Sequence, residues 1–207
     1  MPMYLPDMSE RDLLLIIDVQ NDFCGGGALA VPDADAVVPV INQLCEHFGH
    51  IAVTQDWHPA NHLSFASSHP GRHPFEQINV PYGLQTLWPE HCVQGTVGAE
   101  LHPRLMAQRA ELVLRKGYRA SIDSYSAFYE NDRATPTGLG GYLRERGFER
   151  LFLCGLALDF CVLYSALDAR REGFAVTVLT DACRGLDVQG SLSEALARMG
   201  AAGVEIR

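Results

Sequence analysis

The stretch LFLCGLALDFCVLYSAL, residues 151–167, sets a cysteine just past a short apolar run and at the start of a helical pattern. Cys161 falls about two residues into that helix, which Asp159 is placed to cap. Backbone N–H groups and the positive end of a helix favour a thiolate at such a position. Two residues distant in sequence complete a chemical set. Asp18 ends the apolar run LLLIID, and Lys116 follows ELVLR. An aspartate there can accept the thiol proton and pass it to a leaving amine, and a nearby ammonium favours the thiolate further. The turn at residues 155–158 can aim backbone N–H groups at a developing oxyanion. Each residue alone has an ordinary reading: a small core cysteine, a polar strand end, a solvated lysine. Their joint placement at strand ends is what points to a nucleophile, a base and a charge stabiliser.

A second set has the composition of a metal site. TQDWHPANH contains Asp56, His58 and His62, and WPEHC contains His91. One carboxylate and two imidazoles suit Zn²⁺, Mn²⁺ or Fe²⁺. Asp56 and His58, two apart, point the same way if the chain stays extended. His91 must fold back to join them. An open site of this kind binds a substrate heteroatom and activates water. His69, His73 and His102 read as surface-loop histidines, while His62 is open between that reading and ligation.

These residues need a scaffold to bring them together. Strand-like runs are expected at residues 13–18, 51–54, 111–115, 151–154, 175–180 and 203–206, with helical patterns at 34–48, 138–146, 159–172 and 191–199. Gly147 and Gly173 follow two of those helices as stops. The β–α alternation predicts an α/β fold with a central parallel sheet of about six strands and helices on both faces. Ligands in such sheets bind beyond the carboxyl ends of the strands. Residues 56–103 break the rhythm with little periodicity and many Pro, Gly and His. Loops of that length in compact domains are usually functional.

The bulk numbers set limits. The chain has 207 residues, 47% hydrophobic and 20% charged, with a formal net charge of −9. Its length fits one large domain, residues 1–207. The charge argues against nucleic acid and anionic membranes as partners. The opening residues MPMYLPDMSERD are polar, and the apolar run at 13–17 is too short for a signal core or a span, so a cytoplasmic protein is expected. The six cysteines, Cys24, Cys45, Cys92, Cys154, Cys161 and Cys183, are scattered without a C-x-x-C and read as free thiols.

Taken together, these stretches resemble the nicotinamidase (pyrazinamidase) branch of the isochorismatase-like cysteine hydrolases. LIIDVQNDFCGGGALAV resembles the family's first motif, with its aspartate at Asp18. TQDWHPANHLSF and LWPEHCVQGTVGAELHP resemble the metal motifs, KGYRASIDSYSAF the lysine motif, and LFLCGLALDFCV the nucleophile motif. The resemblance implies a three-layer α/β/α isochorismatase-like domain that hydrolyses nicotinamide to nicotinate and ammonia through a thioester, in NAD salvage, with pyrazinamide as a further substrate. It implies Asp18 as base and then acid, Lys116 holding Asp18 and Cys161, and an oxyanion hole from the N–H groups of Ala157 and Cys161. It implies a cis peptide at Leu156–Ala157. It also implies one divalent ion on Asp56, His58 and His91, zinc in the first place, with His62 or Ser64 as a fourth ligand. Phe23, Trp88 and Ala157 match positions that contact the ring, against a reading of both aromatics as plain core. The partner is then a small-molecule amide, and assembly into a homo-oligomer is admitted. The rival readings are another amidase of the superfamily acting on a carbamoyl or maleamate-type substrate, a non-catalytic binding module, and a redox-active thiol protein.

Overall fold

A computed structural model describes residues 8–207; residues 1–7, which begin the polar opening stretch read above, lie outside the described residues. The apolar run after them becomes β1 (Asp12–Ile17), in which every residue is buried. A strand with no polar face must be covered on both sides, so it sits in the middle of a sheet. The sheet has six parallel strands in the order β5-β2-β1-β6-β7-β8, formed by β2 (His50–Asp56), β5 (Leu112–Lys116), β6 (Arg150–Leu156), β7 (Ala175–Arg184) and β8 (Glu205–Ile206). Helices α1 (Val37–Cys45), α2 (Leu139–Arg146), α3 (Leu163–Arg171) and α4 (Ser191–Ala201) flank it. Full burial of Leu13, Leu14, Leu15, Ile16 and Ile17 supplies roughly 1.5–3 kcal/mol per side chain.

The order places a switch at β1 and β6. From β1 the chain runs outward through β2 and β5, then returns to pair β6 on the other flank of β1. The crevice beyond the carboxyl ends of β1 and β6 is where such sheets bind ligands. Gly155 lets the two ends close up. It has φ +114°, and a Cβ there would stand 2.1 Å from the Ile17 carbonyl oxygen.

Three expectations need correction. The region at 56–103 is not structureless: β3 (Gln77–Val80) and β4 (Gly83–Thr86) pair antiparallel as a separate hairpin. Short strands with two exposed positions each leave little hydrophobic alternation to read. The helix expected over 34–48 is a 3₁₀ turn, Ala34–Ala36, followed by α1, and Pro39 falls within the first turn where a missing N–H is tolerated. The helix expected from 159 begins as a single π-turn, Leu158–Val162, and becomes α-helical only at Leu163.

Gly155→Ala should destabilise the fold by more than ~2 kcal/mol, because the site demands both positive φ and the space of a missing Cβ. Urea unfolding checks this; a midpoint matching wild type contradicts it.

Candidate active site

Three side chains from separate strands meet at the switch. Asp18 follows β1 in the left-handed region, φ +50°, and this turns its carboxylate out of the strand line. Lys116 ends β5, and Cys161 lies in the π-turn after β6. The Lys116 Nζ stands 2.8 Å from Asp18 Oδ2, forms an ion pair with Asp56 Oδ1, donates to the Ser124 carbonyl at 2.9 Å and lies 3.5 Å from Cys161 Sγ. Asp18, Asp56 and Cys161 offer atoms all within 4.8 Å of one another. Lys116 is the single lysine of the chain and is 1% exposed.

Asp18 is anchored by one oxygen. Its Oδ1 accepts from Thr54 Oγ1 at 2.6 Å, and its N–H donates to the same hydroxyl oxygen at 3.1 Å. Oδ2 is paired with Lys116 and is not tied by Thr54, so it is the oxygen placed to take a proton. Burial raises the Asp18 carboxyl above its ordinary value, and the Lys116 charge offsets this in part. Burial also works against the Lys116 charge, yet Asp18 and Asp56 carry it well above an ordinary lysine.

The thiol behaves differently from the sequence expectation. Burial pushes Cys161 well above an ordinary cysteine; Lys116 pulls it down, and Asp18 and Asp56 push it up again. These surroundings favour the thiol and call for a base, where a helix end alone would favour a thiolate. Asp159 does not cap that helix. Its carboxylate accepts from Leu186 N at 3.0 Å, Asp187 N at 2.8 Å and Ser191 Oγ at 2.5 Å, which ties the π-turn to the start of α4. The Leu156–Ala157 peptide is cis.

Asp56, His58 and His91 are buried and together. The His58 Nδ1 is 2.9 Å from the Gly117 carbonyl and the His91 Nδ1 is 2.8 Å from the Pro89 carbonyl, so each ring donates through Nδ1. Both Nε2 atoms then face Asp56 Oδ2, at 3.6 and 3.8 Å. This is the ring orientation of metal-binding histidines held by carbonyl partners. His58 Nε2 has no hydrogen-bond partner among the described residues, an expensive omission for a buried nitrogen unless a cation meets it. Gly117, at φ +67°, makes room for the ring, since a Cβ there would lie 2.5 Å from His58 Cε1. Burial works against the charge on Asp56, but Lys116 and then His58 hold its carboxyl well below the usual range. Burial and the neighbouring His58 bring His91 down to about 4, a neutral imidazole. His58 responds in the opposite sense: burial lowers it, but Asp56 draws it up. The donor set fits a divalent cation.

His62 lies against His58, with ring centroids 4.3 Å apart. Its Nδ1 is 2.7 Å from Ser64 Oγ and its Nε2 is 3.2 Å from the Ile122 carbonyl, so the two residues named for a fourth ligand bind each other. His102 is not a surface-loop residue: it is buried, with Nε2 3.2 Å from Asp35 Oδ1. His73 is exposed, and the half-buried His69 meets the Leu63 carbonyl at 2.7 Å.

A narrow cavity of about 30 Å³ joins the two sets. Cys161, Ala157, Asp56, His91, Phe23 and Trp88 line it. Phe160, Tyr125 and Asp123 line it too. The rings of Trp88 and Phe160 meet edge-on at 5.0 Å and 88° and wall one side of it. Sequence reasoning missed Asp123 and Tyr125 although both lie in the SIDSYSAF stretch soon after Lys116. An Asp in a polar run with no period carries no signal of its own burial. In the fold Asp123 Oδ2 accepts from Gln85 Nε2 at 2.8 Å, and an oxygen of Asp123 groups with His58 and His62. The pocket region thus buries three carboxylates, Asp18, Asp56 and Asp123, against one ammonium, a balance that a divalent ion would close.

The isochorismatase domain model matches residues 12–207. The nicotinamidase of Acinetobacter baylyi is 54% identical over 192 residues, covering 93% of this chain and 90% of that protein. A solved nicotinamidase–pyrazinamidase of Acinetobacter baumanii superposes with a TM-score of 0.95 at 52% identity, covering 97% of both chains. The pyrazinamidase of Pyrococcus horikoshii, solved in complex with zinc, gives a TM-score of 0.78 at 33% identity, covering 95% of this chain and 98% of that one.

Lys116→Met leaves Asp18 and Asp56 buried without their shared cation. Stability should fall by ~3–5 kcal/mol, the cost of breaking a buried ion pair from one side. Urea unfolding reads this directly, and a change inside ~0.5 kcal/mol, the range of neutral surface substitutions, would contradict it.

Proposed function

The chain belongs to the isochorismatase family, and on that premise we propose that it hydrolyses nicotinamide to nicotinate and ammonia through a thioester on Cys161. The observation that carries this reading is the convergence of Asp18, Lys116 and Cys161 beside an aromatic slot that also opens onto Asp56 and His91.

Asp18 Oδ2 takes the thiol proton as Sγ attacks the carboxamide carbon. Lys116 stays charged and keeps the Asp18 carboxylate in place before the transfer. N–H groups of Ala157 and Cys161 receive the oxyanion. Asp18 then gives its proton to the departing nitrogen, ammonia leaves, and the acyl group remains on sulfur. A water enters, Asp18 takes its proton as the oxygen attacks the thioester, and Asp18 returns that proton to the departing sulfur, leaving nicotinate, the free thiol and an ionised Asp18. Phe23, Trp88, Tyr125 and Phe160 hold the ring. Asp56, His58 and His91 would hold a divalent ion, zinc before manganese or iron, which when bound supplies an electrophilic anchor for a pyridine nitrogen or a water. Pyrazinamide, a flat ring of the same size with one CH replaced by nitrogen and the same carboxamide, fits this arrangement. The six cysteines are buried and free, which supports a reducing, cytoplasmic setting.

The test is ammonia release from a panel of small amides. Metal-replete protein should turn over nicotinamide, and Cys161→Ala should lose at least ~1,000-fold in kcat, as loss of a nucleophile does elsewhere. Turnover of a carbamoyl or maleamate-type amide with none of nicotinamide would overturn the substrate. Chelation should lower activity while the far-ultraviolet circular dichroism stays native; unfolding on chelation would show the ion to be structural instead.

A further inference from the structure

Neither the proton-transfer set nor the metal-facing set includes Gln20, yet this residue is fully buried between them. The ladder between β1 and β2 ends at Ile16↔Val53, because the left-handed Asp18 turns the chain away. Beyond that point the Gln20 side chain continues it. Its Oε1 accepts from Asp56 N at 2.8 Å, and its Nε2 donates to the Asp56 carbonyl at 2.8 Å. A side-chain amide carries the same donor and acceptor as a peptide, so Gln20 serves as one more rung. A third bond runs from Nε2 to the Ala99 carbonyl at 2.9 Å, which Gln55 Nε2 also meets at 3.0 Å. Both backbone polar groups of Asp56 are therefore fixed by one residue. Asp56 needs such fixing, because Oδ1 meets Lys116 while Oδ2 faces His58 and His91.

We infer that Gln20 is a positioning residue that sets the Asp56 backbone so that one carboxylate faces the active-site lysine and the metal-facing histidines at once. The inference rests on the metal reading given above. The Asp18 carboxylate is also held by Thr54, so removing the Gln20 side-chain bonds should reach the metal side first and the thiol only through Lys116.

The experiment uses the full-length chain stripped of metal and titrated with Co²⁺, in wild type, Gln20→Met and Gln20→Glu. Methionine keeps the length without the hydrogen bonds; glutamate keeps the acceptor and loses both donors, and it carries the test if the methionine variant does not fold. Co²⁺ affinity should fall ~10–100-fold, as for other residues that orient metal ligands. The visible Co²⁺ spectrum should change, and KM for nicotinamide should rise more than kcat falls. The alkylation rate of Cys161 by iodoacetamide should change by a smaller factor than the Co²⁺ affinity. A folded variant with wild-type Co²⁺ affinity and spectrum overturns this inference alone. Wild-type protein that takes up no Co²⁺ overturns the metal reading and the inference with it.

Discussion

A single buried ammonium faces two buried carboxylates, and the site is built around that fact. Lys116 is the only lysine in the sequence, and its Nζ is shared between Asp18 and Asp56. Buried charge persists only when paired and hydrogen-bonded. Neither carboxylate could stay ionised here without Lys116, and Lys116 could not stay charged without them. The same ammonium lies 3.5 Å from the Cys161 sulfur. It therefore joins the proton-transfer chemistry to the metal-facing chemistry.

The sheet makes this convergence possible. Parallel strands deliver their carboxyl ends to one edge, and the switch between β1 and β6 leaves that edge open. Asp18, Asp56 and Lys116 each end or follow a strand of this edge. Backbone exceptions then aim the side chains. Asp18 is left-handed, Gly155 admits the Ile17 carbonyl, and a π-turn carries Cys161. Such exceptions gather at functional sites because the surrounding core over-determines them.

Much of this could be read from the residues. Continuous apolar runs such as LLLII mark central strands, and their ends named Asp18, Lys116 and Cys161. The Asp56-x-His58 pair and His91 were legible from ligand chemistry. What the sequence hid depends on long-range packing. His102 looks like a loop histidine until Asp35 and its own burial are known. Asp123 reads as a surface residue, because nothing local announces that the β3–β4 hairpin will lay Gln85 against it. The charge environment of Cys161 is hidden for a related reason. Local helix polarity favours a thiolate, but burial beside two carboxylates outweighs it. Local rules fixed positions well and electrostatics poorly, since charge balance is summed over the whole pocket.

The central claim is that Lys116 remains charged inside the protein because Asp18 and Asp56 hold it so. Being the only lysine, it gives one side-chain signal in protein labelled at lysine with ¹³C and ¹⁵N, and its titration can be followed without assignment. The account predicts that this signal keeps its ammonium shift well past pH 10.5, the ordinary lysine value. A midpoint at or below that value would contradict the account.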